Sequence, residues 1–527
     1  MIAQRRLPRF AATAALAAGL GWWAGSARAA GAELLDDGRV RQIRIEISPG
    51  ELEALRKDSR TYVRATVREG TEVWRDVGVH LKGATGSFRS VDDKPALTLS
   101  FDEFVPGQRF HGLSKVHLNN SVEDASYLNE KLGATLFSAG GVPAPRVGHA
   151  VVELNQRRLG LYVLKEGFAP EFLALHFARA DGTFYDPGAG SEITGALKGS
   201  GGSGGAADGS GLRRLVKAAQ EPDVTKRWER LGAVLDRERF VSFMALEILS
   251  GHRDGYCVAR NNYRLYHDPV SDRFSFLPSG MDQLLGRADL PVYPHFGGLV
   301  AQAVIETSEG RRAYRERLGT VFTNVFQVGI LTNRVLGWAA GITRELPKDE
   351  ARPIRREALE VCERLRRRAV EVARQLALPM PAPVRFENEI ATPGGWRPVD
   401  EPAGGKLDRV PAPDGRAALH LVAGKATSAS WRAKVLLAPG RYRFEGQART
   451  RGLKPLPFGK NNGAALEVSG VRSSRPRWLT GDSGWTKMEV DFEIVGREQE
   501  VDLSCGLRAG AGEAWFELET LKLRRNP

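Results

Sequence analysis

The sequence predicts an α+β domain over residues 30–378 followed by an all-β, jelly-roll-type sandwich over residues 384–527. Three observations carry this reading. Before residue 379, short runs of alternating apolar and polar residues are interleaved with stretches whose apolar positions recur every three or four residues, the signatures of strand and helix. Pro379-Met380-Pro381-Ala382-Pro383 cannot continue a helix and marks a boundary. Beyond it only short alternating runs with Gly/Pro turns remain, which is the pattern of a sandwich of roughly 140 residues.

The elements follow in chain order. Arg5, Arg6 and Arg9 precede an uncharged Ala/Leu-rich run from Ala11 to Gly25 and then Ala27-Arg28-Ala29, which reads as an export signal (residues 1–29) cleaved after Ala29. Arg5-Arg6 invites a twin-arginine reading, but the flanking residues match it poorly and the general secretion route is expected. The apolar run is too short to span a bilayer comfortably. No later stretch reaches roughly 20 uninterrupted apolar residues, so no transmembrane segment is expected in the mature chain. The expected location is periplasmic or extracellular. Removal of the leader takes away four arginines and lowers the formal charge from +13 to +9. A basic surface suits nucleotides, phosphorylated or anionic polysaccharide and envelope surfaces; no nucleic-acid partner is expected. Cys257, Cys362 and Cys505 are odd in number and widely spread, so they are read as small buried residues and not as a disulfide framework.

Strands are predicted over Val40 to Ile47, Thr61 to Arg68, Val77 to Leu81 and Ala96 to Phe101. Ser48 with Glu51 three residues later marks a helix start between the first two. Leu128, Leu132, Leu136 and Phe137 predict a helix to Ala139, and Val147 to Leu154 with Arg158 to Leu164 predict a hairpin. Residues 199–211 match both a G-x-G-x-x-G and a G-x-S-x-G template, but a glycine-serine tract matches almost anything of that composition. It is read as a flexible insertion. Apolar spacing from Pro222 to Gly251 gives one or two helices, and Leu299 to Leu346 and Ala351 to Leu378 give more. The last carries Arg352, Arg355, Arg356, Arg364, Arg366, Arg367 and Arg368 beside Glu357, Glu360 and Glu363, read as a solvated helix face.

The chemistry concentrates in Ser250-Gly251-His252-Arg253-Asp254, Asn261-Asn262-Tyr263-Arg264-Leu265-Tyr266 and Phe276-Leu277-Pro278-Ser279-Gly280-Met281-Asp282-Gln283-Leu284-Leu285-Gly286. Two acids and an amide lie about one hairpin apart. Hard oxygen ligands suit Mg²⁺ or Mn²⁺, and a spare carboxylate can accept a proton, so phosphoryl transfer leads. A hydrolase finds little support: no His-Glu-x-x-His is present.

These segments, with Gly112-Leu113-Ser114-Lys115-Val116-His117-Leu118-Asn119-Asn120, Asp124-Ala125-Ser126 and Gly160-Leu161-Tyr162-Val163-Leu164-Lys165-Glu166, resemble the CotH kinase family over about residues 40–375. The resemblance implies an atypical protein-kinase-like fold that binds ATP and a divalent metal and phosphorylates protein Ser/Thr hydroxyls. It implies that Asp254 is the catalytic aspartate, that Asn262 helps hold the metal, and that Asp282, matching the second acid of a Trp-Asp-x-Asp element, is the main metal ligand. Lys94, after the Gly83-x-x-Gly86 turn, matches a lysine near the nucleotide, and Glu166 an acid that could orient it. Lys82 stands where the family has an arginine. The departure is Ser279-Gly280-Met281-Asp282, which lacks one tryptophan and one carboxylate, so a catalytically impaired pseudokinase or an envelope-binding module is the alternative. The His252-Arg253-Asp254 likeness to a kinase catalytic loop is set aside because Ala259 stands where asparagine should follow.

Trp396, Trp431, Trp478, Trp485 and Trp515 mark the sandwich. Buried packing is the commoner use of tryptophan there, with stacking on sugar rings the other. At the level of pattern the segment resembles carbohydrate-binding-module jelly rolls, particularly at Pro439-Gly440-Arg441-Tyr442 and Gly484-Trp485, which makes a glycan a possible partner.

Overall fold

The computed structural model describes residues 30–526 except 36–37, 85, 196, 198, 201–208, 380–382, 401–403, 458–460 and 496–497. The expected leader and the middle of the Gly/Ser tract lie outside the described residues. The tract's flanks are regular: Gly199–Ser200 form a short strand and Ser210–Ala219 a helix.

Seven strands close into a barrel: β1 (Val40–Ile47), β2 (Val63–Glu69), β3 (Glu72–Lys82), β4 (Ala96–Ser100), β5 (Lys115–Asn119), β6 (Val147–Leu154) and β7 (Arg157–Glu166), in the order β1-β2-β3-β4-β5-β7-β6. Neighbours are antiparallel except at the seam, where β1 runs parallel to β6 from Val40↔His149 to Ile45↔Leu154. Alternate residues such as Ile43, Ile45, Val79, Leu97, Leu99, Leu118 and Leu164 fill the interior, as a half-polar strand pattern requires. Two short helices precede the second strand: α1 (Ala32–Leu35) and α2 (Pro49–Lys57), the latter capped by Ser48, whose hydroxyl accepts from the Glu51 amide.

Helix α3 (Asn129–Ala139) lies outside the barrel, where Leu132, Leu136 and Phe137 share a core with Val151, Leu161 and Val163. The chain continues through α4 (Pro170–His176), β8 (Thr183–Tyr185) and β9 (Gly199–Ser200) to α5 (Ser210–Ala219), α6 (Val224–Val234), α7 (Arg237–Leu249) and α8 (Tyr256–Ala259). The hairpin β10 (Tyr263–Asp268) and β11 (Arg273–Pro278) pairs in register from Tyr263↔Pro278 and joins β8. Helices α9 (Leu299–Glu306), α10 (Ser308–Asn324), α11 (Val328–Arg344) and α12 (Lys348–Leu376) complete the helical lobe.

One residue of the α12 arginine run departs from the solvated face expected of it. Arg368 is fully buried, and its guanidinium donates to the carbonyls of Ile248 (2.6 Å), Leu249 (3.3 Å), Ala288 (2.8 Å) and Leu290 (2.6 Å). It adds a donor to Ile248 O, which also receives the Gly251 amide, and supplies one to Leu249 O at the end of α7, and it places a cation at the negative end of that helix. It also pins the loop that follows residue 286. Burial pushes its pKa down to about 10.

After residue 383 the described residues form strands joined by turns, with a single 3-10 turn at Leu518–Thr520. β17 (Gly440–Pro455) pairs with β21 (Lys522–Asn526) in its first half and with β20 (Gln499–Glu517) in its second. β20 likewise pairs with β16 (Thr427–Leu437) and β18 (Gly463–Ser469) before it reaches β15 (Ala417–Val422) and β17. Two long strands therefore serve both layers, and the bulges after Ala448, Thr450, Arg451 and Lys454 allow the bend. β12 (Ile390–Ala391), β13 (Arg397–Asp400), β14 (Lys406–Pro411) and β19 (Gly481–Ile494) complete the sheets. Trp396, Trp431 and Trp515 are buried and Trp478 and Trp485 partly so, which makes them packing residues first. All three cysteines are free and buried. Among the described residues no helix is long and apolar enough to cross a membrane.

Candidate active site

The site lies where the barrel meets the helical lobe. Glu247, fully buried in α7, accepts from the amides of Tyr256 (2.9 Å) and Cys257 (2.8 Å), so its carboxylate caps α8. A Cβ at Gly255 would strike that carboxylate, so glycine is what lets the turn close. Burial pushes Glu247 up to about 7. The turn so held presents Asp254, whose Oδ2 accepts from Asn261 Nδ2 (2.9 Å) and Asn262 Nδ2 (2.7 Å). Neither bond uses Oδ1, which stays open to a hydroxyl proton.

The Asp282 segment is fixed from two sides. Asn129, at the start of α3, donates to the Asp282 carbonyl at 2.7 Å, and Gly133, one turn on, leaves no room for a Cβ against Met281 and Leu284. The Leu285 amide donates to Ser250 O and the Ser279 amide to Asn262 O, both at 2.9 Å. His252, also buried, holds the Gly280 carbonyl at 3.1 Å. Burial, then the carboxylates of Glu130 and Glu123, push Asp282 up to about 6.

Facing these acids is a cavity of about 360 Å³ whose lining includes Lys82, Glu130, Lys165, Asp254, Asn262, Arg264 and Asp282. Lys165 Nζ and Glu130 Oε2 form a buried ion pair at 2.8 Å, with side chains 4% and 3% exposed, and Asn119 Nδ2 donates to Glu130 Oε1 at 3.3 Å. Burial alone would raise the Glu130 pKa, but Lys165 and then Lys82 outweigh it and hold it low. Lys82 Nζ donates to Asn119 Oδ1 at 2.6 Å, and burial with the nearby Lys165 charge pushes Lys82 down to about 8. Arg264 pairs with Asp186 at 2.9 Å. Three cations in a concave, partly dry site make a seat for phosphates.

Asp254, Asn262, Asp282 and Lys82 are thus brought together. Lys94 and Glu166 are not. Lys94 Nζ donates to Tyr127 Oη at 2.7 Å, sits over the rings of Tyr127 and Tyr162 at 4.9 and 5.1 Å, and lines a different cavity with Arg158 and Glu350. Glu166 pairs with Arg146 at 2.6 Å and has no contact with Lys94. The cause is strand parity: even positions of β7 such as Tyr162 and Leu164 face the barrel core, while Leu161 and Val163 face α3 and the cleft. Lys165, one residue before Glu166, is therefore the residue that reaches the site, with Glu130 as its partner. Alternation along β7 was the signal that could have found it; nothing in the spacing of α3 singles out Glu130.

Among the described residues no group of three or more His, Cys, Asp or Glu side chains is arranged to hold a metal unaided. The donors present still fit a divalent ion carried by a nucleotide, since Mg²⁺ takes one or two carboxylates and draws its other oxygens from phosphate and water. Asp282 has neighbouring carboxylates that raise its pKa, a repulsion that a cation relieves. Gly280, where a second acid is expected, has φ +53°, and a Cβ there would run into Asn262 Oδ1. The amide of Asn262 occupies the space a side chain at 280 would need.

Fold and site together define a two-lobed, kinase-like cleft with a cationic cavity against a paired-aspartate edge. The chain belongs to the CotH kinase protein family, whose model matches residues 79–368. It is 23% identical over 260 residues to the inner spore coat protein H of Bacillus subtilis, covering 44% of this chain and 69% of that protein. It is 27% identical over 139 residues to the invasin CotH2 of Rhizopus delemar, covering 23% of each. Among solved structures, the Helicobacter pylori proinflammatory kinase CtkA aligns with 55% of this chain and 97% of its own at 8% identity and a TM-score of 0.26. TmCBM61, solved with β-1,4-galactotriose, aligns with 25% and 88% at 20% identity and a TM-score of 0.19. Overlays of that quality bear on neither mechanism nor ligand.

Proposed function

We propose that the protein is an exported ATP-dependent protein kinase that transfers the γ-phosphoryl group to Ser/Thr hydroxyls with Mg²⁺ or Mn²⁺. The single observation that carries the reading is the position of Asp254: it shares one edge with Asp282 and Asn262, faces a cavity with Lys82, Lys165 and Arg264, and keeps Oδ1 free. In this reading Lys82, Lys165 and Arg264 bind the phosphates, and Asp282 with the Asn262 oxygen holds the metal, which neutralises phosphate charge when bound. Asp254 Oδ1 takes the hydroxyl proton as the acceptor oxygen bonds to the γ-phosphorus and the bond to the β–γ bridging oxygen breaks, releasing ADP. Glu130 holds Lys165 in place through their ion pair at 2.8 Å. Surface location is supported by the relatives named as a spore coat protein and an invasin.

The test is incorporation of labelled γ-phosphate into the protein and into generic acceptors, comparing wild type with Asp254→Ala and Asp282→Ala. Metal-dependent labelling lost in both variants supports the kinase. The crowding of Gly280 by Asn262 favours one specific second reading, a domain that binds nucleotide without transfer. Equal inertness of all three proteins with nucleotide still raising the melting temperature would establish that reading, and the sandwich, for which a glycan is the candidate ligand, would then carry the function.

A further inference from the structure

A second cavity, of about 650 Å³, shares Glu123, Asp254 and Asp282 with the first and continues to Asn129, Arg253 and Arg364. Two of its lining residues carry a buried polar atom without a hydrogen-bond partner among the described residues: Asn129 Oδ1, on a residue only 2% exposed, and Arg364 Nε. Buried polar groups are nearly always satisfied, so each orphan marks a place where a ligand or water completes the bonding. One of them accepts and the other donates. Both residues line the cavity, so its wall suits a polar or charged molecule and not an apolar one.

The charges divide in the same way. Glu123, Asp254 and Asp282 supply negative charge where the cavity meets the phosphate side. Arg253 is exposed, and among the described residues no hydrogen bond or ion pair ties its side chain to a carboxylate. Arg364 approaches Asp124 electrostatically, but Asp124 is already engaged by the Ser126 hydroxyl and amide and by the Asn129 amide. Two guanidinium groups are thus left to face the cavity with donors to spare. Guanidinium recognises carboxylate and phosphate in preference to neutral groups.

We propose that this cavity seats the acceptor segment and selects one in which an anionic residue flanks the hydroxyl, with Arg253 and Arg364 as specificity-determining residues. The inference deepens the kinase reading and rests on it only for the transfer step; the binding preference stands by itself. An acidic side chain and an already phosphorylated one offer the same chemistry to the two arginines.

The test uses the full chain and fluorescent serine peptides flanked by aspartate, by asparagine, by lysine or by phosphoserine. Binding is read by anisotropy with a non-hydrolysable ATP analogue and Mg²⁺, and transfer by initial rate with ATP. The aspartate peptide is expected to bind about tenfold tighter than its asparagine isostere, the size of one charge-assisted hydrogen bond. Arg364→Gln and Arg253→Gln should each shrink that gap to less than about threefold, while Arg364→Lys retains part of it and the asparagine peptide is unaffected. Arg253 is exposed, so its variant keeps the test valid if Arg364→Gln fails to fold. The phosphoserine arm, compared with aspartate, tells which anion is preferred. Asparagine or lysine peptides binding as well as aspartate, or a gap untouched by either variant, overturns the inference. Preference without transfer would sink the kinase reading and leave the inference standing; transfer without preference would do the reverse.

Discussion

The buried Lys165–Glu130 pair is the part of the site whose energetics can be worked most directly. At 2.8 Å, with both side chains nearly inaccessible, the Coulomb attraction is about 6 kcal/mol at an effective dielectric of 20. Desolvation takes back several kcal/mol per ion, so the pair as a whole adds little to stability. Removing one partner is different. Lys165→Met strands the Glu130 carboxylate in a dry site, which costs about 3–5 kcal/mol in comparable cases. Here Asn119 and Lys82 still face Glu130, so the lower end, about 3 kcal/mol, is expected. Glu130→Gln strands the ammonium instead and should cost a similar amount. The double variant removes both charges, so its cost should fall short of the sum by about 2 kcal/mol. Urea unfolding of the four proteins measures the cycle, and the change in melting temperature with nucleotide and Mg²⁺ reads the function. The single variants should lose most of that nucleotide effect. Single losses below about 1 kcal/mol, or additivity within about 0.5 kcal/mol, would refute the claim that the pair is desolvated and coupled.

Four further outcomes are expected. Nucleotide–Mg²⁺ binding should be strongest between about pH 6 and about pH 8, because Asp282 gains its charge as pH rises through 6 and Lys82 loses its own as pH rises through 8; titration calorimetry across pH 5–9 checks this, and a flat profile contradicts it. Gly280→Asp should lower phosphate transfer, since the new side chain displaces the Asn262 amide that holds Asp254 and adds about 1 kcal/mol of backbone strain at positive φ; higher transfer would show that the missing acid is the only defect. Arg368→Met should destabilise the kinase-like domain by about 3 kcal/mol, by removing a donor from four carbonyls, of which only those of Ile248 and Leu290 keep another, and a urea midpoint within error of wild type would contradict it. Gly133→Val should weaken metal-dependent nucleotide binding more than it lowers overall stability, because the added bulk meets Met281 and moves Asp282; equal effects on both would argue for a merely structural contact.

How much of this was legible in the sequence depends on how local each feature is. Strands β1 to β4, β6 and β7 and the helix α3 declare themselves by period, β5 (Lys115–Asn119) does not, and the Asp254, Asn262 and Asp282 group stands out by ordered motifs within one short stretch. Features decided by long-range packing did not. Arg368 looks like its neighbours in an arginine run, and only the course of α12 past the end of α7 shows that it is buried. Lys94 follows the glycine turn that the family pattern suggests, yet its side chain leaves the cleft to meet Tyr127. Glu166 and Lys165 differ by a single step along a strand, which is the difference between two faces of a sheet. Three of the five sandwich tryptophans lie in the interior, a distinction that aromatic content alone cannot make.

The seam of the barrel carries a consequence for assembly. Strands β1 and β6 are neighbours in space, but Val40 and His149 are separated by more than a hundred residues of chain. Every other joint of the barrel can zip from closer partners, so ring closure waits until β6 has emerged and found the first strand, a non-local step of the kind that slows folding. Until that moment β1 and β6 both present unsatisfied edges, the condition in which a second molecule can add its own strand. Deleting β1 would make that transient permanent. The amino-terminal strand thus acts as a latch: it contributes no residue to the cleft, yet it decides whether the lobe holding Lys82 and Lys165 is a closed ring or a template for association.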